Sequence, residues 1–169
     1  MLEDSNIILI GMCGVGKSTV GVLLAKELGC RFIDTDVFVQ VLENKALQQM
    51  IDEVGIGAFC KIEEKHVLSI DVNNAVIATG GSVVYSEKAM SHLRTGGVIV
   101  HLDLGFEEIE KRVKNLYTRG VVMEKGETLR SLCRKRQPLY RKYAQLTVDC
   151  SSKTQEDIVS EITERLKVF

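Results

Sequence analysis

The sequence predicts an α/β domain built around a mainly parallel β-sheet. Short β-branched runs alternate with longer segments of helical periodicity, and a glycine-rich turn joins the first such run to the first helix. The 169 residues suit one continuous core, because a chain of this size buries roughly 70% of its unfolded surface. We therefore expect a single domain over residues 1–169.

The elements are predicted in chain order from periodicity and from turn residues. Strands are expected at residues 7–10, 31–33, 75–79, 98–103 and 146–150. Helices are expected at residues 20–29, 37 to about 52, about 57 to 70, 86–95, 106–113, about 128–143 and 154–169. Residues 115–127 have no periodicity and contain Gly120 and Gly126, which predicts a mobile loop.

Composition excludes several classes of protein. The net charge of −1 provides no global basic field to attract nucleic acid or a membrane surface. The five cysteines are widely spaced with no CxxC pair, which argues against a zinc site or a disulfide framework: Cys13, Cys30, Cys60, Cys133 and Cys150. No signal peptide or membrane-length apolar run is evident, so a cytoplasmic location is expected.

The segment GMCGVGKS, residues 11–18, matches the phosphate-binding pattern G-x-x-x-x-G-K-[ST]. A predicted buried strand precedes it and a helix follows, which is the context that the motif requires. Backbone N–H groups would surround a phosphate, Lys17 would reach the outer phosphates, and Ser18 would hold Mg²⁺. The expected nucleotide-binding residues are Gly11, Cys13, Gly14, Val15, Gly16, Lys17, Ser18 and Thr19. The alternative is a glycine-rich turn with a chance lysine.

A GTPase is not favoured by the rest of the chain. Residues 52–55, DEVG, match D-x-x-G, but they end a helical stretch rather than a strand. The pair Asn44-Lys45 lacks the aspartate that would read guanine and comes too early. Both matches are interpreted as chance.

Two carboxylates follow the second predicted strand, in RFIDTD. Asp34 and Asp36 are expected in the crevice at the carboxyl ends of the strands, where open α/β sheets bind ligands. Asp34 could support Mg²⁺ through water, and Asp36 could accept the proton of a substrate hydroxyl. The alternative role for both is capping of the next helix.

The chain resembles the shikimate kinases, small P-loop enzymes of the nucleoside-monophosphate-kinase fold, over nearly its whole length. The likeness rests on the P-loop followed by DTD, on TGGS (79–82), on the loop around RGVV (119–122) and on RQPLY (136–140). The resemblance implies a three-layer P-loop kinase fold with a five-stranded parallel sheet in the order 2-3-1-4-5. It also implies a mobile lid at about 115–127, ATP with Mg²⁺ as donor, and a small carboxylated ring as acceptor.

The resemblance also implies roles for individual residues. Asp36 would hold the substrate hydroxyls, and Gly80 and Gly81 would present backbone N–H groups to the substrate. Arg136 would pair with the substrate carboxylate through two parallel hydrogen bonds. Arg112 would lie over adenine, and Arg119 would close from the lid on the transferred phosphate. The other cations near Arg136 are expected on a solvated helix face: Arg130, Arg134 and Lys142.

Three departures from the family pattern concern the acceptor side. The glycine triplet ends in Ser82, and Gly120 replaces a lid proline, which predicts a more mobile lid. The pattern G-E-x-x-F-R-x-x-E aligns with Gly55, Ile56, Phe59, Cys60 and Glu63, so Cys60 stands at the position of a second carboxylate-binding arginine. Lys61 would point about 100° away on a helix and is not expected to substitute.

The leading hypothesis is an ATP-dependent kinase that converts shikimate to shikimate 3-phosphate. Cys60 leaves open a kinase of another small hydroxy acid or polyol. A nucleotide-binding regulatory protein without kinase activity is the third possibility, against which the intact P-loop and aspartates argue. The partner is expected to be a small molecule rather than nucleic acid or membrane, and the protein is expected to be a monomer.

Overall fold

The computed structural model describes residues 5–113 and 120–168. Its centre is a parallel sheet of five strands: β1 (Asn6–Ile10), β2 (Arg31–Asp34), β3 (Ala75–Ala78), β4 (Gly97–Asp103) and β5 (Leu146–Asp149). The strand order is β2-β3-β1-β4-β5, so the expected 2-3-1-4-5 order is confirmed. Strand β1 lies in the middle, where Ile8 is paired with Ile77 of β3 and Ile99 of β4.

Helices cover the sheet on both sides: α1 (Lys17–Leu28), α2 (Thr35–Glu43), α3 (Leu47–Leu68), α4 (Glu87–Gly96), α5 (Phe106–Arg112), α6 (Leu129–Tyr143) and α7 (Gln155–Leu166). A short 3₁₀ turn at Val83–Tyr85 follows β3. The central strands are buried on both faces, which explains why they are continuous apolar runs rather than alternating ones. None of the helices in the described ranges is long and apolar enough to cross a bilayer.

The predicted helix from 37 to about 52 is wrong. Asn44 ends α2 in the left-handed conformation at φ 50°, and α3 begins three residues later at Leu47. The break expected between the two predicted helices near residue 55 is confirmed, because Gly55 leaves the helical conformation (φ 78°, ψ 163°) and divides α3 by a kink. The helical periodicity is nearly continuous here, so it could not show that one asparagine turns the chain.

A second, smaller apolar cluster lies apart from the main core. It is formed by α2, the two arms of α3 and one residue from the segment before α6: Val39, Leu47, Met50, Ile51, Phe59 and Val122. Val122 is 6% exposed, which shows that the segment from Gly120 onwards packs on α3. This cluster places the end of the predicted lid region beside the carboxyl ends of the strands.

Gly120 is tightly placed in this packing. Its φ is +66°, and a Cβ there would collide with Leu47 and lie 3.1 Å from the Gln48 nitrogen. Proline fixes φ near −65°, so the residue expected from the family pattern does not fit this conformation. The absence of proline at 120 therefore has a steric explanation in the packing on α3.

We predict that Gly120→Pro lowers the free energy of unfolding by more than about 1 kcal/mol, because both the backbone and the contact with Leu47 are incompatible with proline. Chemical denaturation measures this loss. Gly126→Pro is the matched control, since Gly126 also has a positive φ (83°) but no atom within 4 Å of an added Cβ. An equal loss at both positions would show that the Leu47 contact adds nothing.

Candidate active site

A cavity of about 470 Å³ opens at the carboxyl ends of β1, β2 and β3. The P-loop between β1 and α1 forms one wall, and residues from α2, α3 and α6 form the other. It contains most of the site residues expected from the sequence, and its lining is Cys13, Gly14, Gly16, Lys17, Ser18, Thr19, Asp36, Phe59, Thr79, Gly81, Ser82, Arg112, Gly120, Val121, Val122, Arg136 and Gln155. Residues far apart in the chain therefore share one enclosed space.

The P-loop presents unpaired backbone donors to this cavity. Gly14 and Gly16 have φ values of 82° and 107°, and Gly16 caps α1 without a side-chain hydrogen bond. No described residue accepts a hydrogen bond from the N–H groups of Gly14, Gly16, Lys17 or Ser18. Donors at a helix N-terminus suit a phosphate, because the helix dipole adds a favourable field. The loop therefore fits the phosphates of a nucleotide.

The Lys17 side chain folds back over the loop. Its Nζ donates to the carbonyl oxygens of Gly11 at 2.7 Å and Met12 at 3.0 Å. Burial lowers the pKa of this ammonium group below its usual value. These bonds hold a positive charge at the entrance to the phosphate cradle, where Lys17 would meet the outer phosphates.

Ser18 and Asp34 are directly linked. The Ser18 hydroxyl donates to Asp34 Oδ2 at 2.6 Å, while Asp34 Oδ1 accepts from the Asp36 and Val37 N–H groups and caps α2. The capping interpretation of Asp34 is thus confirmed, and the same side chain also binds the Ser18 hydroxyl group. The pair supplies hard oxygen atoms beside the phosphate cradle, which is the ligand type that Mg²⁺ prefers. No group of three or more metal-ligating side chains occurs in the described part of the chain.

Asp36 lies two residues further along, on the first turn of α2, and lines the cavity. Removal from water raises the pKa of its carboxyl group to about 6, and the nearby Lys17 charge opposes that rise. The Asp36 carboxylate accepts no hydrogen bond from a described residue. It is therefore a free acceptor that faces the same space as the phosphate cradle.

Glu63 is a second buried carboxyl group near Asp36. It is 4% exposed, and burial raises its pKa to about 7 despite hydrogen bonds from Ser82. A Cβ added to Gly80 would lie 2.6 Å from Asp36 Oδ1 and closer still to a Glu63 oxygen, so the two carboxyl groups face each other across this glycine. No role was expected for Glu63 from the sequence beyond the family pattern.

The two glycines after β3 differ in what they offer. The Gly80 N–H already donates to the Thr35 hydroxyl at 2.9 Å, contrary to the expectation that it is open to substrate. The Gly81 N–H donates to no described residue, and Gly81 lines the cavity. A Cβ on Gly81 would lie 2.8 Å from Arg136 Nη1, so glycine allows the guanidinium to approach the backbone.

Arg136 lies on α6 and is 1% exposed. Its Nε donates to the Tyr85 hydroxyl at 3.2 Å, and Nη2 donates to the Val122 carbonyl oxygen at 2.6 Å. No carboxylate of the described residues forms an ion pair with it. A guanidinium has five N–H donors, so Nη1 and one proton of Nη2 remain for an anionic ligand. Arg136 is thus a buried cation that is held in place and lacks a counter-ion.

Cys60 does not line the cavity but packs beside the smaller apolar cluster. Burial raises the pKa of its thiol, with a further contribution from the Glu63 charge one turn later on α3. The thiol is therefore neutral and supplies no group for a carboxylate. The structure thus places an apolar, partly buried side chain at this position.

Of the two other expected arginines, one lines the cavity and one lies outside the described residues. Arg112 ends α5, and its Nη1 donates to the Val15 carbonyl oxygen at 3.4 Å at the mouth of the cavity. Its half-exposed side chain also forms an ion pair with Glu108, and Gln155 lines the same cavity. Arg119 lies outside the described residues, as does most of the first half of the predicted lid.

Comparison with known proteins adds an independent observation to this geometry. The sequence profile of the family described as shikimate kinase matches residues 13–167. The chain belongs to the shikimate kinase family. A shikimate kinase of Staphylococcus haemolyticus is 36% identical over 165 residues, which cover 97% of this chain and 95% of that protein.

A solved structure and a longer human protein are also similar to this shikimate kinase family member. The structure of the Acinetobacter baumannii shikimate kinase in complex with shikimate is similar at a TM-score of 0.85 and 26% identity, covering 99% of this chain and 95% of the other. Human threonine synthase-like 1 is 31% identical over an alignment of 174 positions, which covers 100% of this chain but 23% of that protein. The chain is accordingly an ATP-dependent small-molecule kinase of this family.

The two buried carboxyl groups predict how this kinase responds to pH. Their pKa values, about 6 for Asp36 and about 7 for Glu63, exceed the ordinary 3.8 and 4.5, so ionisation opposes folding. Their contribution to stability is full below about pH 4 and is lost as pH rises through about 6 and 7. We therefore expect the melting temperature of Glu63→Gln, relative to that of the wild type, to increase between pH 5 and pH 8.

The activity should change with pH in the opposite direction. A base must be ionised to accept a proton, so kcat/KM for the acceptor is expected to fall tenfold per pH unit well below the Asp36 pKa of about 6. Steady-state kinetics from pH 4.5 to 8.5 measure this limb. A profile that stays flat down to pH 4.5 would contradict an ionised Asp36 as the base.

Proposed function

We propose that this protein transfers the γ-phosphate of ATP, with Mg²⁺, to a ring hydroxyl of shikimate and forms shikimate 3-phosphate. The observation that carries the proposal is the shared cavity, in which an open P-loop, a free carboxylate and a buried cation without a counter-ion meet. Each of these matches one part of the reaction. Membership of the shikimate kinase family supports the assignment of the acceptor.

On the donor side, the P-loop N–H groups and Lys17 would hold the phosphates of ATP. Ser18 and Asp34 would support Mg²⁺, which supplies charge neutralisation to the transferred group. Arg112 would lie against the adenine at the cavity mouth. Arg119 is proposed to add a second cation from the lid. These roles account for the unpaired donors along the P-loop.

On the acceptor side, Asp36 would accept the proton of the reacting hydroxyl and direct its oxygen towards the γ-phosphate. Arg136 would bind the carboxylate with its free Nη donors, and the Gly81 N–H would add a third donor nearby. Because Tyr85 and Val122 already orient the guanidinium, little side-chain entropy is lost when the acid binds. The carboxylate would thereby fix the distance of the ring from Asp36.

The second candidate function is phosphorylation of another small hydroxy acid or polyol. Cys60 favours it, because a neutral thiol removes one expected cation from the acceptor side. The similarity to threonine synthase-like 1 shows that this domain type also occurs in a protein of a different name. A catalytically inactive nucleotide-binding protein is less well supported, since Lys17, Ser18 and Asp36 all lie in one cavity.

An ATP-consumption assay with shikimate, other hydroxy acids and polyols tests these candidates. Turnover with shikimate at the highest kcat/KM supports the proposal, and preferential turnover of another acceptor replaces it with the second candidate. Binding of ATP without turnover of any acceptor would contradict both. Mg²⁺ removal by a chelator should abolish turnover, and readdition should restore it.

We also expect the protein to act as a monomer in the cytoplasm, with no nucleic-acid or membrane partner. The near-neutral net charge of −1 supports the absence of a nucleic-acid or membrane partner, because it provides no global basic field. Size-exclusion chromatography with light scattering at assay concentration tests the oligomeric state.

A further inference from the structure

Ser82 occupies a position that no assigned role explains. It lies at the third place of the glycine cluster, lines the cavity and is 6% exposed. Its backbone is in the ordinary right-handed region at φ −88° and ψ −13°, so the conformation does not require glycine there. A buried hydroxyl group has therefore been placed in the wall of the acceptor side without any backbone constraint.

The hydroxyl proton of Ser82 is already used. Oγ lies 2.8 Å and 3.0 Å from the two carboxylate oxygens of Glu63, behind the cavity wall. A serine hydroxyl has one proton and two lone pairs, and no described residue donates to Oγ. When Glu63 is ionised, Ser82 can only accept a hydrogen bond from a ligand in the cavity.

The surroundings of Glu63 link two of the three departures from the family pattern, Ser82 and Cys60. Ser82 donates to it directly, and Cys60 lies one turn before it on α3. Asp36, the proposed base, faces it across Gly80. The unusual hydroxyl thus lies near the reacting position, where an acceptor would present a neighbouring group.

We propose that Ser82 is a specificity-determining residue that accepts a hydrogen bond from a second, non-reacting hydroxyl of the acceptor, while Glu63 fixes the direction of its O–H. This inference rests on the proposed function and deepens it. Arg136 binds one carboxylate of the acceptor, Asp36 binds the reacting hydroxyl, and Ser82 accepts a hydrogen bond from a second hydroxyl. The acceptor class is therefore a monocarboxylate with at least two hydroxyl groups. A second carboxylate or a ketone at the Ser82 position lacks the required proton.

The test compares wild type and Ser82→Ala with shikimate and with the two analogues that each lack one non-reacting ring hydroxyl. Assays at about pH 8 keep Glu63 ionised. We expect wild type to prefer shikimate over one analogue by roughly 3- to 10-fold in kcat/KM, the usual effect of one hydrogen bond. Ser82→Ala should reduce that ratio to about 1 and leave the ratio for the other analogue and the KM for ATP unchanged.

Two further variants separate this role from a structural one. Ser82→Gly carries the family residue and also lacks the hydroxyl, so it should lose the same discrimination even if Ser82→Ala folds poorly. Glu63→Gln retains an oxygen that can accept from Ser82 and should keep part of the preference. An equal loss of kcat/KM on all three compounds would overturn the inference and leave the proposed function intact.

If the wild type does not phosphorylate shikimate, the proposed function is wrong. The role of Ser82 is then tested by binding instead of turnover. Calorimetry with ADP present would then compare the binding of polyhydroxylated monocarboxylates and their deoxy analogues to wild type and Ser82→Ala. A preference for the hydroxylated compounds that only wild type shows supports the inference. No ligand preference, or the same preference in both proteins, overturns it.

Discussion

Asp36→Asn should reduce kcat by roughly 10²- to 10⁴-fold while the affinity for ATP stays nearly unchanged. The amide is almost isosteric with the carboxylate but cannot accept the proton of the reacting hydroxyl. The Asp36 carboxylate lines the cavity and has no hydrogen-bonding partner among the described residues, so its replacement leaves the P-loop contacts intact. Steady-state kinetics with nucleotide titration by calorimetry measure both quantities.

Asp34→Asn is the matched control, two positions away. Asp34 accepts from Ser18 and caps α2, and asparagine caps a helix equally well, so the replacement should weaken Mg²⁺-dependent ATP binding with little change in stability. Asp36→Asn should instead be more stable than wild type at pH 7, because burial raises the pKa of the original carboxyl to about 6. Full activity in Asp36→Asn would refute the role of base.

Cys60→Arg should tighten the binding of shikimate by about 10- to 150-fold, since a hydrogen bond to a charged group contributes roughly 1.5–3 kcal/mol. The new guanidinium would lie one turn from Glu63, whose buried carboxylate would offset its repulsion from Arg136. The KM for shikimate and a direct binding titration report the gain. The pKa of Glu63, now about 7, should fall beside the added cation.

Lys61→Arg provides the control for this experiment. Lys61 is exposed and points about 100° away from Cys60 on α3, so the same guanidinium there should leave the KM unchanged. Cys60→Gln adds polar bulk without charge and should give at most a small gain. If Cys60→Arg brings no tighter binding, the natural acceptor is a molecule other than shikimate.

The sequence predicted the strand, glycine-rich loop and helix that form the P-loop. The P-loop pattern is contiguous, and its chemistry comes from backbone geometry that glycine at fixed spacing imposes, so eight residues identify it. The three central strands were also predictable, because buried parallel strands are continuous apolar runs. The family resemblance then gave the strand order, which local periodicity alone does not contain.

Other features depend on contacts between distant segments. The break at Asn44 follows from one left-handed residue inside a nearly continuous helical pattern. The pairing of the Gly80 N–H with Thr35, and the enclosure of Arg136 by Tyr85 and Val122, join residues 45, 51 and 14 positions apart. No local pattern records such pairs, since each partner is an ordinary residue in its own segment.

The segment GIGAFCKIEE, residues 55–64, shows most clearly what the sequence determines and what the tertiary structure determines. The sequence by itself determined that Phe59 belongs to a buried face and that Cys60 replaces a cation. Only the tertiary structure decided that Glu63 points to Ser82 and faces Asp36 across Gly80. The physical reason is that burial and hydrogen-bond partners, which set the charge of a carboxyl group, are properties of the packed surroundings rather than of the residue.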